Sequence, residues 1–182
     1  MIHLKNSGYL PKDAKKLLSQ ADKLVVGMHA IVRDTRVSSR YVEFDISVSK
    51  EYLDILVKKL EAIGPLDNAR HIVEEETEKE KAVEKGREYF NYERFWECHE
   101  TLEGVWKKTH EDEKDLVQGI ILVAAAFVHY QKNENEICLS ILKRSMEKLG
   151  NSSGKYYKID VDALRSKASE MINSGMISTF TI

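Results

Sequence analysis

Between residues 41 and 48 the chain alternates without a break: Val42, Phe44, Ile46 and Val48 fall on one side, Tyr41, Glu43, Asp45 and Ser47 on the other. A period of two marks a strand with one face in a core and one outside it. Residues 24–33, apolar and rich in β-branched side chains, predict a partner strand joined to it through a polar turn at 34–40. The period then changes. Leu53, Leu56, Val57, Leu60 and Ile63 recur at helical spacing, and Gly64-Pro65 stops that helix. Ala14, Leu17, Leu18 and Ala21 repeat the helical pattern over residues 12–23, with Pro11 placed to open the helix. Residues 1–4 and 69–73 supply two short terminal strands. The predicted order is β-α-β-β-α-β, the split arrangement of ferredoxin-like domains. Such a fold hosts many functions and identifies none.

Beyond residue 73 only helical periodicity remains. It predicts helices at 77–90, 93–108, 113–132, 134–149 and 160–173, broken at Asn91-Tyr92 and at Gly150-Asn151-Ser152-Ser153-Gly154. Short connections make consecutive helices antiparallel neighbours, as in a helical bundle or stacked helical hairpins. The charged run at 74–81 can be read as an acidic metal cluster, but it reads better as the solvated start of a helix, where acids face the positive end of the helix dipole. The expected protein is therefore α+β, with a ferredoxin-like domain at 1–75 and an all-α domain at 76–182.

Composition narrows the classes. Hydrophobic residues are 42 % and charged residues 32 %, the balance of a globular chain with a core. Lys and Arg number 28 against 30 Asp and Glu, a net charge of -2, so no basic surplus awaits phosphates and nucleic acid is not the expected partner. The first residues lack the apolar run of a signal peptide. The apolar stretch at 116–128 is too short to span a membrane. Cys98 and Cys138 have no CxxC spacing and read as reduced thiols of a cytoplasmic protein.

The chemistry-bearing residues concentrate on the helix at 93–108. Phe95, His99, Leu102 and Trp106 follow at i, i+4, i+7 and i+11, a single stripe that sets His99 within an apolar face. Glu103 lies beside His99, with Glu100 on the neighbouring edge. On the following helix Gln118, Leu122, Ala125 and His129 share a second stripe, and Gly119, Val123 and Ala126 leave room for a close neighbour.

Several of these residues carry a family resemblance. Phe90-Asn91, then Phe95-Trp96-Glu97-Cys98-His99-Glu100-Thr101-Leu102-Glu103, then Trp106, followed by Gln118-Gly119-Ile120 and Ala124-Ala125, resemble the signature of the family known as domain of unknown function 309. The resemblance covers residues 77–150 and, more loosely, the last helix with its Asp160-x-Asp162-x-x-Leu164 start. It does not reach the N-terminal half. It implies an all-helical fold and brings no agreed activity. Family members usually carry a glycine-asparagine turn after the third helix, where this chain reads Lys132-Asn133-Glu134-Asn135-Glu136.

Three functional readings follow. In the first, the protein is a binding module for a small ligand, a metal ion or a protein partner, a second copy of the chain (a homo-oligomer) being one such partner. Its binding residues are His99, Glu103, Gln118, His129 and Trp106, and His99, Glu103 and His129 are the candidate ligands of a divalent metal. In the second, His99, Glu100 and Glu103 are the catalytic groups of a metal-dependent or acid–base hydrolase. The motif is HExxE, not the HExxH of zinc proteases, and no serine or cysteine sits in a nucleophile turn. Cys98 points about 100° away from His99 around the helix, which makes it a poor thiolate partner. In the third, Gly86-x-x-Tyr89-Phe90 and the helix after it form a tetratricopeptide-like scaffold, although no 34-residue repeat is present. Against all three stands a bland account, in which His99 and Glu103 are a polar network fixing helix register and the tryptophans are packing.

Overall fold

A computed structural model describes residues 1–71 and 78–182, which divide into two compact units, Met1–Val73 with Gln131–Asn133, and Glu74–Tyr130 with Glu134–Ile182. The protein is α+β, with a four-stranded antiparallel sheet and seven α-helices among the described residues.

In the first unit β1 (Ile2–Lys5) is followed by α1 (Ala14–Leu24), β2 (Ala30–Val37), β3 (Tyr41–Val48), α2 (Leu53–Leu60) and β4 (Leu66–Ala69). The strand order is β2-β3-β1-β4, each neighbour antiparallel. Leu4, Val42 and Phe44 from the sheet meet Leu17 and Ala21 of α1 and Leu56 and Leu60 of α2 in one core. The strand at 41–48 lies where its alternation puts it. Two other strands do not. Leu24 ends α1, so β2 begins only at Ala30 and runs on through Asp34, Thr35, Arg36 and Val37, residues whose polarity had suggested a turn. That polarity is compatible with a strand because Arg36 and Asp34 are paired to each other. The last strand lies at 66–69, ahead of the expected 69–73, and residues 72–73 are outside the described residues.

The second unit contains α3 (Lys79–Asn91), α4 (Phe95–Lys107), α5 (Glu111–Tyr130), α6 (Asn135–Leu149), a small hairpin of β5 (Lys155–Tyr156) and β6 (Ile159–Asp160), and α7 (Val161–Ser174). Each helix lies within two residues of its predicted bounds. Consecutive helices pack: α3 on α4, α4 on α5, α5 on α6 and α6 on α7. Of the charged run, residues 74–77 lie outside the described residues, while Glu78 and Lys81 form an exposed ion pair at the start of α3. Asp160 caps α7, its Oδ1 accepting from the Ala163 N–H at 2.9 Å. The hairpin had no sequence signal beyond the Gly150–Gly154 break.

Two glycines set the helix spacing. A methyl group on Gly86 of α3 would come 2.8 Å from Leu102 Cδ2 on α4, and one on Gly119 of α5 would come 2.6 Å from Leu149 Cγ and 3.1 Å from the Leu149 backbone nitrogen. The second contact involves main chain and cannot be relieved by a rotamer change. Gly119→Ala is therefore expected to destabilise the helical unit by about 1–3 kcal/mol through overpacking. The gain in helix propensity, about 1 kcal/mol at most, does not offset this. Chemical denaturation monitored by tryptophan fluorescence measures it, and an unchanged or raised midpoint would show that α5 and α6 can part without cost.

Candidate functional site

The helix α4 buries Phe95, Cys98, Leu102 and Val105, a stripe at i, i+3, i+7 and i+10. This stripe is rotated from the expected one. Phe95 and Leu102 are fully buried as anticipated, but His99 and Trp106 stand at its border. The His99 side chain is 29 % exposed, Glu100 45 % and Glu103 39 %. The expectation that His99 sits within the apolar face is therefore corrected: Cys98, one residue earlier, occupies that place.

On this border three side chains converge. His99 Nδ1 lies 3.2 Å from Glu100 Oε1 and 3.9 Å from Glu103 Oε2. The three offer a ring nitrogen and two carboxylate oxygens, all within 4.8 Å of one another. The i, i+4 spacing stacks His99 and Glu103 on one face, and Glu100, a residue along, curls back to reach the imidazole. Lys107, a further turn on, approaches Glu103 Oε1 at 3.4 Å.

The other predicted participants are placed differently. His129 Nδ1 is held by Glu134 Oε2 at 2.6 Å across the α5–α6 turn and lies outside the three-residue group. In that turn Asn133 takes a left-handed backbone (φ 63°), so asparagine serves the conformation for which glycine is more usual. Gln118 shares with Leu122, Ala125 and His129 the half-buried flank of α5, and its side chain makes no hydrogen bond among the described residues. Trp106 packs against the core, with the Lys114 ammonium 5.3 Å from its ring centre. Its indole N–H is buried and has no partner among the described residues.

The buried polar group of α4 is one that the periodicity argument passed over. Glu97 is buried, and Arg94 grips it with a two-pronged guanidinium contact, Nε donating to Oε2 at 2.7 Å. The Arg94 guanidinium also lies 5.0 Å over the Tyr89 ring. The i, i+3 spacing of Arg94 and Glu97 is the signal that could have revealed the pair. Neither cysteine offers a thiolate. Burial pushes the Cys98 thiol far up, and it pushes the Cys138 thiol up to about 12.

A comparable cluster lies in the first unit. His3, Glu43 and Arg36 sit opposite one another on β1, β3 and β2, each buried. His3 Nε2 is 2.7 Å from Glu43 Oε2, the Arg36 Nε–H donates to Glu43 Oε1, and Arg36 also bonds Asp34 at 3.0 Å. Alternation had assigned Glu43 to a solvated face, and that assignment is overturned.

Residues 83–141, running from α3 into α6, match the sequence model of a family described as Domain of unknown function (DUF309). The match falls within the helical half of the chain, where the resemblance was read. No curated protein matches the chain. No helix among the described residues is long and apolar enough to cross a membrane.

Proposed function

We propose that this protein is a binding module whose helical unit takes a divalent cation on the half-exposed edge of α4. His99 Nδ1 and the carboxylates of Glu100 and Glu103 are the proposed ligands. The observation that carries this reading is their convergence, with three ligand atoms within 4.8 Å of one another. A nitrogen with two carboxylate oxygens suits zinc, manganese or ferrous iron better than calcium or magnesium. Three ligands from one helix leave open positions, which an acidic small molecule or a partner's carboxylate would fill. Partial exposure favours this role over a register-fixing one, since a polar network that specifies packing acts from the interior.

The test is calorimetric titration of the full chain, purified without chelator, with zinc and with manganese. Binding is expected at one site, weakened at least tenfold by His99→Ala and by Glu103→Gln, with thermal stability of the apo variants nearly unchanged because both side chains are partly exposed. No heat and no metal-dependent rise in the unfolding midpoint would refute the reading. A large stability loss in His99→Ala without metal uptake would return the cluster to a structural role.

We also infer finer assignments. The strand order and the β-α-β-β-α-β succession support a ferredoxin-like reading of the first unit. Sequential packing of α3 to α7 supports stacked hairpins in the second, with a domain boundary near residue 75. Two buried free thiols support a cytoplasmic location.

A further inference from the structure

The segment at 175–182 forms no helix or strand, yet it is laid down in an ordered way. Gly175, left-handed at φ 70°, ends α7 and turns the chain back. Beyond it Phe180 and Ile182 face inward while Thr179 and Thr181 face out, the alternation of an extended peptide. Asn91, the last residue of α3, grips this peptide by its backbone. Its carboxamide oxygen accepts from the Ile182 N–H at 2.8 Å, and its carboxamide nitrogen donates to the Ile182 carbonyl at 3.1 Å. One side chain thereby supplies both bonds that a neighbouring strand would give. Two positions before, the Phe180 ring meets Phe90 and Phe127 edge-on, with centroids 5.5 and 5.7 Å away. The Thr179 hydroxyl donates to Glu93 Oε1 at 3.3 Å.

Backbone capture combined with a pocket for an alternate side chain is how extended peptides are recognised when they add to a protein edge. Here the ligand is part of the same chain. We propose that the cleft between Asn91 and the Phe90–Phe127 pair is a peptide-binding site for extended segments of the pattern Phe-x-Ile, occupied in cis by residues 175–182 and open to a partner peptide in trans. The occupant is defined by the segment already seated there. Its hold consists of the Asn91 clasp and a few side chains, with no ladder of backbone bonds among the described residues, so it opens more readily than the core beneath it. A short tether gives the cis segment an effective concentration in the millimolar range, so a competing peptide needs a comparable concentration or a weakened cis segment. The site is separate from the α4 cation edge and does not rest on that reading.

The probe is a fluorescein-labelled synthetic peptide with the sequence of residues 175–182, followed by anisotropy against the full chain. Phe180→Ala in the full chain, by loosening the cis segment, is expected to bind the probe at least tenfold more tightly than the unsubstituted chain. A probe carrying alanine at the phenylalanine position is expected to lose binding. A folded Phe180→Ala chain that binds the probe no better than the unsubstituted chain overturns the proposal. Should that variant fail to fold, hydrogen exchange on the unsubstituted chain decides. Millimolar unlabelled peptide must accelerate exchange of the amides at 179–182, and unchanged exchange overturns the proposal equally.

Discussion

Replacing Phe127 with alanine is expected to cost the helical unit about 3–5 kcal/mol. Phe127 is fully buried on α5 and is the hub of the aromatic core. It stacks on Phe95 at 4.8 Å, meets Phe90 edge-on at 5.8 Å and Phe180 at 5.7 Å, and touches Tyr130 at 6.3 Å. Removing the ring loses its transfer free energy and leaves a hollow bordered by other rings, which are too stiff to collapse into it. Both tryptophans of the chain, Trp96 and Trp106, are on α4, so their fluorescence reports unfolding of this unit. The denaturation midpoint should fall steeply. A loss below about 1 kcal/mol would mean that the cluster repacks, contrary to the rigid geometry described. A cycle with Phe95→Leu should show coupling of about 0.5–1.5 kcal/mol, as expected for an aromatic pair in contact.

How far the sequence reveals this molecule depends on which force dominates each segment. Where burial of one face is the dominant force, period alone suffices: the strand at 41–48 and the helices at 79–91 and 95–107 stand where their apolar spacing puts them. Where polar residues are satisfied by one another, period misleads. Arg36 and Asp34 read as a turn yet belong to β2, and Glu43 reads as solvated yet is buried, because their partners come from other strands. The same limit applies at the site. His99, Glu100 and Glu103 were legible as a group since all three are on one helix within five residues. The degree of their exposure was not, because a helix with apolar residues at 95, 98, 102, 105 and 106 offers two overlapping stripes, and only the packing of α3 and α5 selects between them. The Asn91 clasp is the extreme case. It joins positions 91 residues apart, the Asn91 side chain to the backbone of Ile182, and the backbone half of that contact has no sequence signature.

Glu43 carries the second large effect, in the first unit. Burial, the strongest influence on its carboxyl, favours protonation, but the Arg36 guanidinium and the hydrogen bond and charge of His3 together outweigh it and lower the pKa from 4.5 to about 2. Glu43→Ala removes the buried anion that His3 and Arg36 share and leaves a cavity between them, and the expected loss is about 3–5 kcal/mol. The pH dependence follows from the direction of the shift. A lowered folded-state pKa means that the carboxylate's stabilisation is complete above about 4.5, declines as pH falls below that value, and is gone below about 2. The gap between those values, at about 1.4 kcal/mol per pH unit, amounts to roughly 3 kcal/mol. Tryptophan is absent from this unit, so the measurement is hydrogen exchange of the β1 and β3 amides as pH is lowered, corrected for intrinsic exchange. In the unsubstituted chain protection should weaken between pH 4.5 and 2. In Glu43→Gln it should start lower and show less dependence on pH across that window. A Glu43→Gln chain with the same slope as the unsubstituted one would assign the acid sensitivity to other carboxylates and detach Glu43 from the stability of the sheet.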